Sequence, residues 1–173
     1  MKIFLVGFMG AGKTTVGRAL AEKLSCRFID LDELIEAHNS MSVRDVFEKL
    51  GEPEFRRLES AAIETLPETE RAVVALGGGA FAVESNRRVV GELGISIWLD
   101  CPLEICLDRT SGDSERPLLG SPEQMARLLG SRREAYQQSD CRVDASWNSP
   151  EEIADEIIRL LDSPGLASRL NQH

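Results

Sequence analysis

The eight residues Gly7-Phe8-Met9-Gly10-Ala11-Gly12-Lys13-Thr14 satisfy G-x-x-x-x-G-K-[ST] in full, and they constrain the fold more than any other stretch of the chain. That pattern works in one setting. An apolar strand runs in, glycines let the backbone curl so that successive N–H groups point inward, and a helix leaves with its positive N-terminal end at the same point. Both neighbours are present: Lys2 to Val6 reads as a strand, and Val16, Leu20 and Leu24 have helical spacing after the loop. The expectation is a cradle for the phosphates of a nucleoside triphosphate, with Lys13 reaching the β- and γ-phosphates and the Thr14 hydroxyl on Mg²⁺. A glycine-rich turn whose lysine caps nothing is the competing possibility, and the strand before and helix after weigh against it.

Further apolar runs with strand character lie at Arg27 to Ile29, Ala72 to Leu76, Ile95 to Leu99 and, more weakly, Cys141 to Val143. Helical spacing returns between them and at Ile153, Ile157, Ile158 and Leu161. Short apolar strands alternating with helices predict an α/β fold, a parallel sheet covered on both faces in three layers. A chain of 173 residues with 42% hydrophobic content fills one core, so residues 1–173 are expected to form a single domain. Two regions break the alternation. Residues 32–66 read as helices only, an insertion beside the sheet, and residues 111–123 are rich in Gly, Ser, Pro and charge, a candidate lid. Ser163-Pro164-Gly165 should stop the last helix and leave a short tail, loose or docked.

The net charge of −9 argues against a nucleic-acid partner, so anionic ligands must be held by placed arginines and backbone N–H groups. Cys26, Cys101, Cys106 and Cys141 contain no CxxC pair and read as buried free thiols, which fits a reducing compartment. The apolar stretch from Ile3 to Val6 is too short for a signal segment or a membrane span. A cytoplasmic monomer with no membrane partner is expected.

Three motifs fall at the carboxyl ends of predicted strands, where open α/β sheets bind ligands. Asp30-Leu31-Asp32 places two carboxylates near the phosphate loop, one for a magnesium water and one to orient a hydroxyl, unless either simply caps the helix starting near Glu33. Gly77-Gly78-Gly79 suits a ligand approaching main-chain N–H groups, with a loose turn as the plainer alternative. Gly51 to Glu59, GEPEFRRLE, taken alone reads as an exposed helix face with ion pairs such as Arg56 to Glu59. Arg116-Pro117-Leu118-Leu119 puts an arginine on the lid, where it would clamp phosphoryl oxygens on closure. Arg132-Arg133-Glu134-Ala135-Tyr136 reads by spacing as a solvated helical face.

In order, GFMGAGKT, FIDLD, GEPEFRRLE, LGGGA, RPLL and RREAY resemble the shikimate kinase family, from Lys2 to about Leu161. The family's architecture is similar to that of nucleoside monophosphate kinases, implying a five-stranded parallel sheet in order 2-3-1-4-5, a shikimate-binding helical region over about 32–66 and a lid over about 111–123. The resemblance implies ATP-dependent phosphorylation of the shikimate 3-hydroxyl with Mg²⁺. It implies ATP contacts at Gly10, Ala11, Gly12, Lys13, Thr14, Thr15, Arg109, Arg116 and Pro150, and a metal held by Thr14 and Asp30. Asp32, Lys13 and Arg116 would be catalytic. Shikimate would meet Asp32, Arg56, Gly78, Gly79 and Arg132, with Phe47, Phe55 and Glu59 supporting the pocket. Glu134 stands where many members carry proline, so Arg133 competes with Arg132 for the carboxylate, and Trp147-Asn148-Ser149 replaces basic residues before Pro150. Gluconate kinase or another small-acid kinase is the alternative, a nucleoside monophosphate kinase a remoter one, and a nucleotide-dependent switch the reading from another class.

Overall fold

A computed structural model describes residues 1–67, 69–110, 121–146 and 148–166. Five strands form one sheet: β1 (Lys2–Val6), β2 (Arg27–Asp30), β3 (Ala72–Ala75), β4 (Gly94–Asp100) and β5 (Cys141–Asp144), in the order β2-β3-β1-β4-β5. Every pairing is parallel, with Phe4 opposite both Val74 and Ser96 and Ile29 opposite Val74 from the other side. The sequence of β1, KIFLV, is apolar at consecutive positions because helices cover both its faces, and all five residues are buried. Phe4, Leu5, Val74, Ile97 and Leu99 have no exposed surface, each burial contributing roughly 1.5–3 kcal/mol.

The helices are α1 (Lys13–Lys23), α2 (Leu31–Asn39), α3 (Val43–Leu50), α4 (Glu52–Glu64), α5 (Glu84–Leu93), α6 (Leu103–Thr110), α7 (Pro122–Tyr136) and α8 (Pro150–Leu161), with a short 3-10 turn at Ala80–Ala82. The helices-only stretch expected after β2 is α2 to α4. The chain passes from central β1 to β2 on one side, returns through β3, then crosses β1 to reach β4 on the other. Strand order thus reverses around β1, which opens the crevice at the carboxyl ends of β1 and β3.

Several local expectations shift. Helix α2 begins at Leu31 rather than near Glu33, because Asp30 is extended and its side chain accepts from the Asp32 N–H. Helix α7 begins at Pro122, where Ser121 and Gln124 form a reciprocal capping box, so the last residues assigned to the polar segment already belong to a helix and its cap. Residues 111–120, the body of the expected lid, lie outside the described residues. Helix α8 does end before Ser163-Pro164-Gly165, yet residues 164–166 resume helical geometry, since proline favours the first helical position. All four cysteines are free, but only Cys101 and Cys106 are buried; Cys26, just before edge strand β2, and Cys141, the first residue of edge strand β5, stay half-exposed. Among the described residues, no helix is long and apolar enough to cross a membrane.

Candidate active site

The phosphate loop leaves β1 and turns against α6. At Gly10 the backbone has φ +76°, and an added Cβ would stand 2.5 Å from the Cys106 carbonyl oxygen, so any side chain would meet both strain and backbone. Lys13 curls over its own loop, Nζ donating to the carbonyls of Gly7 at 2.9 Å and Phe8 at 2.8 Å. Gly12 caps the N-terminus of α1, Ala11 is buried beneath the loop, and Thr15 is exposed on the first turn. A cleft of about 540 Å³ opens here, lined among others by Lys13, Thr14, Asp30, Asp32, Gly78 and Arg109. A second hollow of about 490 Å³ lies against the outer side of β2, lined by side chains such as Ile29, Leu34, Ile35 and Leu58. That hollow is mainly apolar and contains no phosphate-binding backbone, so the polar cleft is the candidate site.

Asp30 serves two neighbours at once. Its Oδ2 accepts from Thr14 Oγ1 at 2.8 Å, and its Oδ1 accepts from the Asp32 N–H at 3.1 Å. Capping and a place beside the phosphate loop therefore coexist. Among the described residues no cluster of three His, Cys, Asp or Glu side chains could hold a metal. A hydroxyl beside a carboxylate nevertheless fits Mg²⁺, which takes one or two protein oxygens and completes its shell with phosphate and water.

Asp32 stands in the first turn of α2 and faces Glu59 of α4 at the end of β3. A Cβ placed on Gly77 would lie 2.2 Å from Glu59 Oε1 and 3.2 Å from Asp32 Oδ1, so two carboxylates converge on the space beside this glycine. Glu59 is fully buried, with Oε2 accepting from Arg56 Nη1 at 2.5 Å. Burial pushes its carboxyl pKa up, the Arg56 charge pulls it back, and Asp32 adds to the rise. The exposed ion-paired face expected for this helix belongs instead to Arg57 and Glu54, which pair at 2.6 Å. Arg56 points inward, because its position on α4 faces the glycine triplet: a Cβ on Gly79 would lie 2.4 Å from Arg56 Nη1. Burial lowers the Arg56 pKa, but Glu59 and Glu52 outweigh it and leave it raised. Phe55, buried, packs tilted against half-buried Phe47 at 4.6 Å between ring centres.

The two adjacent arginines of α7 diverge. Arg132 is buried, its Nη1 3.4 Å from where a Cβ would stand on Gly78, and burial holds its pKa below the ordinary range. Its expected solvated face is therefore corrected: about 100° of helical rotation separates it from Arg133, and only the latter faces water. Arg133 lies 3.9 Å from Asp100 Oδ2, with its guanidinium 5.7 Å from the Trp98 ring centre. Glu134 leaves α7 unbroken from Pro122 to Tyr136. Tyr136, not singled out from the sequence, donates its phenol O–H to the Gly78 carbonyl. The four-residue spacing from Arg132 was the available signal, since such pairs share a helix face.

On the far side of the loop, Arg109 in the last turn of α6 reaches the carbonyls of Gly10 at 3.5 Å and Ala145 at 3.4 Å. It thereby bridges the phosphate loop and the turn that leads to Pro150, the first residue of α8. Arg116 and Trp147 lie outside the described residues.

A phosphate loop in a 2-3-1-4-5 parallel sheet, facing Asp30, Asp32 and Arg109 across one cleft, with Arg56 and Arg132 turned in on the adjoining glycines, defines a phosphate-loop kinase of a small molecule. A family model described as shikimate kinase matches residues 9–162. A shikimate kinase from Sulfurihydrogenibium sp. (strain YO3AOP1) is 43% identical over 157 residues, covering 90% of this chain and 95% of that protein. One from Persephonella marina is 44% identical over 157 residues, covering 90% and 96%. The solved shikimate kinase from Acinetobacter baumannii in complex with shikimate superposes with a TM-score of 0.89 at 36% identity, covering 92% of each chain. The chain belongs to the shikimate kinase family.

Proposed function

We propose that the protein transfers the γ-phosphoryl group of ATP to the 3-hydroxyl of shikimate, giving shikimate 3-phosphate and ADP on the chorismate route to aromatic amino acids. The observation that carries the proposal is the meeting of two half-sites at one sheet edge. Gly10 to Thr15 face Asp32, Gly78 and Arg109 across a single cleft, with Arg56 and Arg132 packed on the adjoining glycines.

Residues 10–15 cradle the phosphates, Lys13 leaving its loop carbonyls for the β- and γ-oxygens, while Arg109 and Pro150 flank the adenine. Thr14 and Asp30 would hold Mg²⁺, which when bound neutralises phosphate charge. Arg56 and Arg132 grip the shikimate carboxylate with the backbone of Gly78 and Gly79, a geometry suited to the planar guanidinium fork. Phe47, Phe55 and Glu59 hold that pocket in shape. Asp32 accepts the hydrogen bond of the 3-hydroxyl and is the base within reach of its proton. The hydroxyl oxygen then attacks γ-phosphorus in line as the bond to the β–γ bridging oxygen breaks. Residues 32–66 would form the shikimate-binding region, and residues 111–123 the lid from which Arg116 reaches the phosphates. All these residues come from one chain, so a monomer suffices, and the free thiols fit a reducing cytoplasm.

A substrate panel tests the proposal: ADP release with ATP and Mg²⁺ should be fastest with shikimate. Faster turnover with gluconate would favour a small-acid kinase, and with a nucleoside monophosphate a base-reading site; either would displace the assignment. Asp32→Asn should cut kcat by about a hundredfold or more while ATP binding stays near the parent's. Full activity in that variant would remove Asp32 from the chemistry.

A further inference from the structure

Tyr136 is the chain's single tyrosine, the last residue of α7, and its side chain is fully enclosed. A buried phenol needs a partner for its O–H, and this one reaches the carbonyl of Gly78, 58 residues away in sequence. Arg132, one helical turn earlier on the same face of α7, reaches the same glycine, its Nη1 3.4 Å from where a Cβ would stand on Gly78. Its ring is wedged against Trp98, 6.0 Å between centres, so the oxygen has little room to wander.

Peptide planarity turns this contact into an orientation. In a trans peptide the carbonyl of one residue and the N–H of the next point in opposite directions. Holding the Gly78 carbonyl toward Tyr136 therefore aims the Gly79 N–H away from it. Glycine has no side chain to set that peptide plane, and three glycines in succession leave it to an outside group.

We propose that Tyr136 is a positioning residue for the acceptor's carboxylate, setting the Gly78–Gly79 peptide plane through its phenol oxygen. The proposal rests on the placing of the shikimate carboxylate at Arg132 and Gly79. Tyr136 touches neither substrate nor phosphate. Burial pushes the phenol pKa up to about 12, so it remains a donor throughout the working range of the enzyme.

Tyr136→Phe keeps the ring against Trp98 and deletes only the oxygen. It should raise the KM for shikimate about tenfold, with kcat and the KM for ATP within about twofold of the parent's. With the analogue whose carboxylate is reduced to a primary alcohol, parent and variant should have the same KM. An unchanged shikimate KM, or an equal loss with the alcohol, overturns the proposal. A second readout needs no substitution. With one tyrosine, ¹³C at Cζ gives a single resonance, which should shift on saturation with shikimate and stay put with the alcohol; an unmoved resonance with shikimate also overturns it. Arg132→Ala separates the two levels. If it leaves the shikimate KM unchanged, the carboxylate lies elsewhere and both ideas fall; if it raises KM while Tyr136→Phe does not, only the role of Tyr136 falls.

Discussion

Arg132 and Arg133 are chemically identical neighbours, yet one is buried beside Gly78 and the other lies at the surface near Asp100 and Trp98. Arg132→Ala should therefore raise the KM for shikimate by about tenfold or more, whereas Arg133→Ala should leave it within about twofold. Steady-state kinetics on the pair decides between them, and the reverse pattern would move the carboxylate to Arg133. Glu59 makes a second residue-scale case. Its pKa is raised, chiefly by burial, so the folded protein holds that proton more tightly than the unfolded chain does. The contribution to stability is fully present below the ordinary value of 4.5 and is lost as pH rises through the raised one. Glu59→Gln cannot ionise, so the parent should lose stability relative to this variant between acid and neutral pH. Urea unfolding at several pH values measures the difference, and parallel profiles would show that Glu59 titrates alike in both states.

At the scale of elements, short polar signals decide where helices begin. Ser149 accepts from the Glu152 N–H at 3.2 Å while the Glu152 carboxylate accepts from the Ser149 N–H at 2.8 Å, closing a capping box at the start of α8. Behind it, Ile153, Ala154, Ile157 and Leu161 form the buried stripe of that helix. Ser149→Ala should cost about 1 kcal/mol and lower the thermal midpoint by roughly 2–5 °C, leaving the shikimate KM unchanged. An unaltered midpoint would mean that the cap contributes nothing in solution. Helix α4 shows the same economy on its length: adjacent Arg56 and Arg57 pair with buried Glu59 and half-buried Glu54 respectively.

For the whole molecule, the sheet order brings the ends of β1, β2 and β3 together, so phosphate loop, acidic pair and glycine triplet share one edge although they span 73 positions from Gly7 to Gly79. On the proposed reading, the metal arrives with the nucleotide phosphates, with Thr14 and Asp30 as its protein oxygens. Chelation with EDTA should abolish turnover, added Mg²⁺ should restore it, and the unfolding midpoint of the free protein should not change. A midpoint that falls on chelation would reveal a structural ion.

Local pattern alone was enough for the phosphate loop, the five strands and the α/β class, because each depends on residues within a few positions of one another and on the periods of strand and helix. The opposite surroundings of Arg132 and Arg133, the burial of Glu59 against Gly77, the bond from Thr14 to Asp30 and the reach of Tyr136 to Gly78 were not legible there. Helical spacing says which side chains share a face. It does not say which face meets another element, and that depends on how helices from distant parts of the chain pack once strand order has closed the sheet. The phosphate loop on β1 was therefore set by sequence alone, while the placing of Glu59, Arg132 and Tyr136 on the glycine triplet was decided by packing.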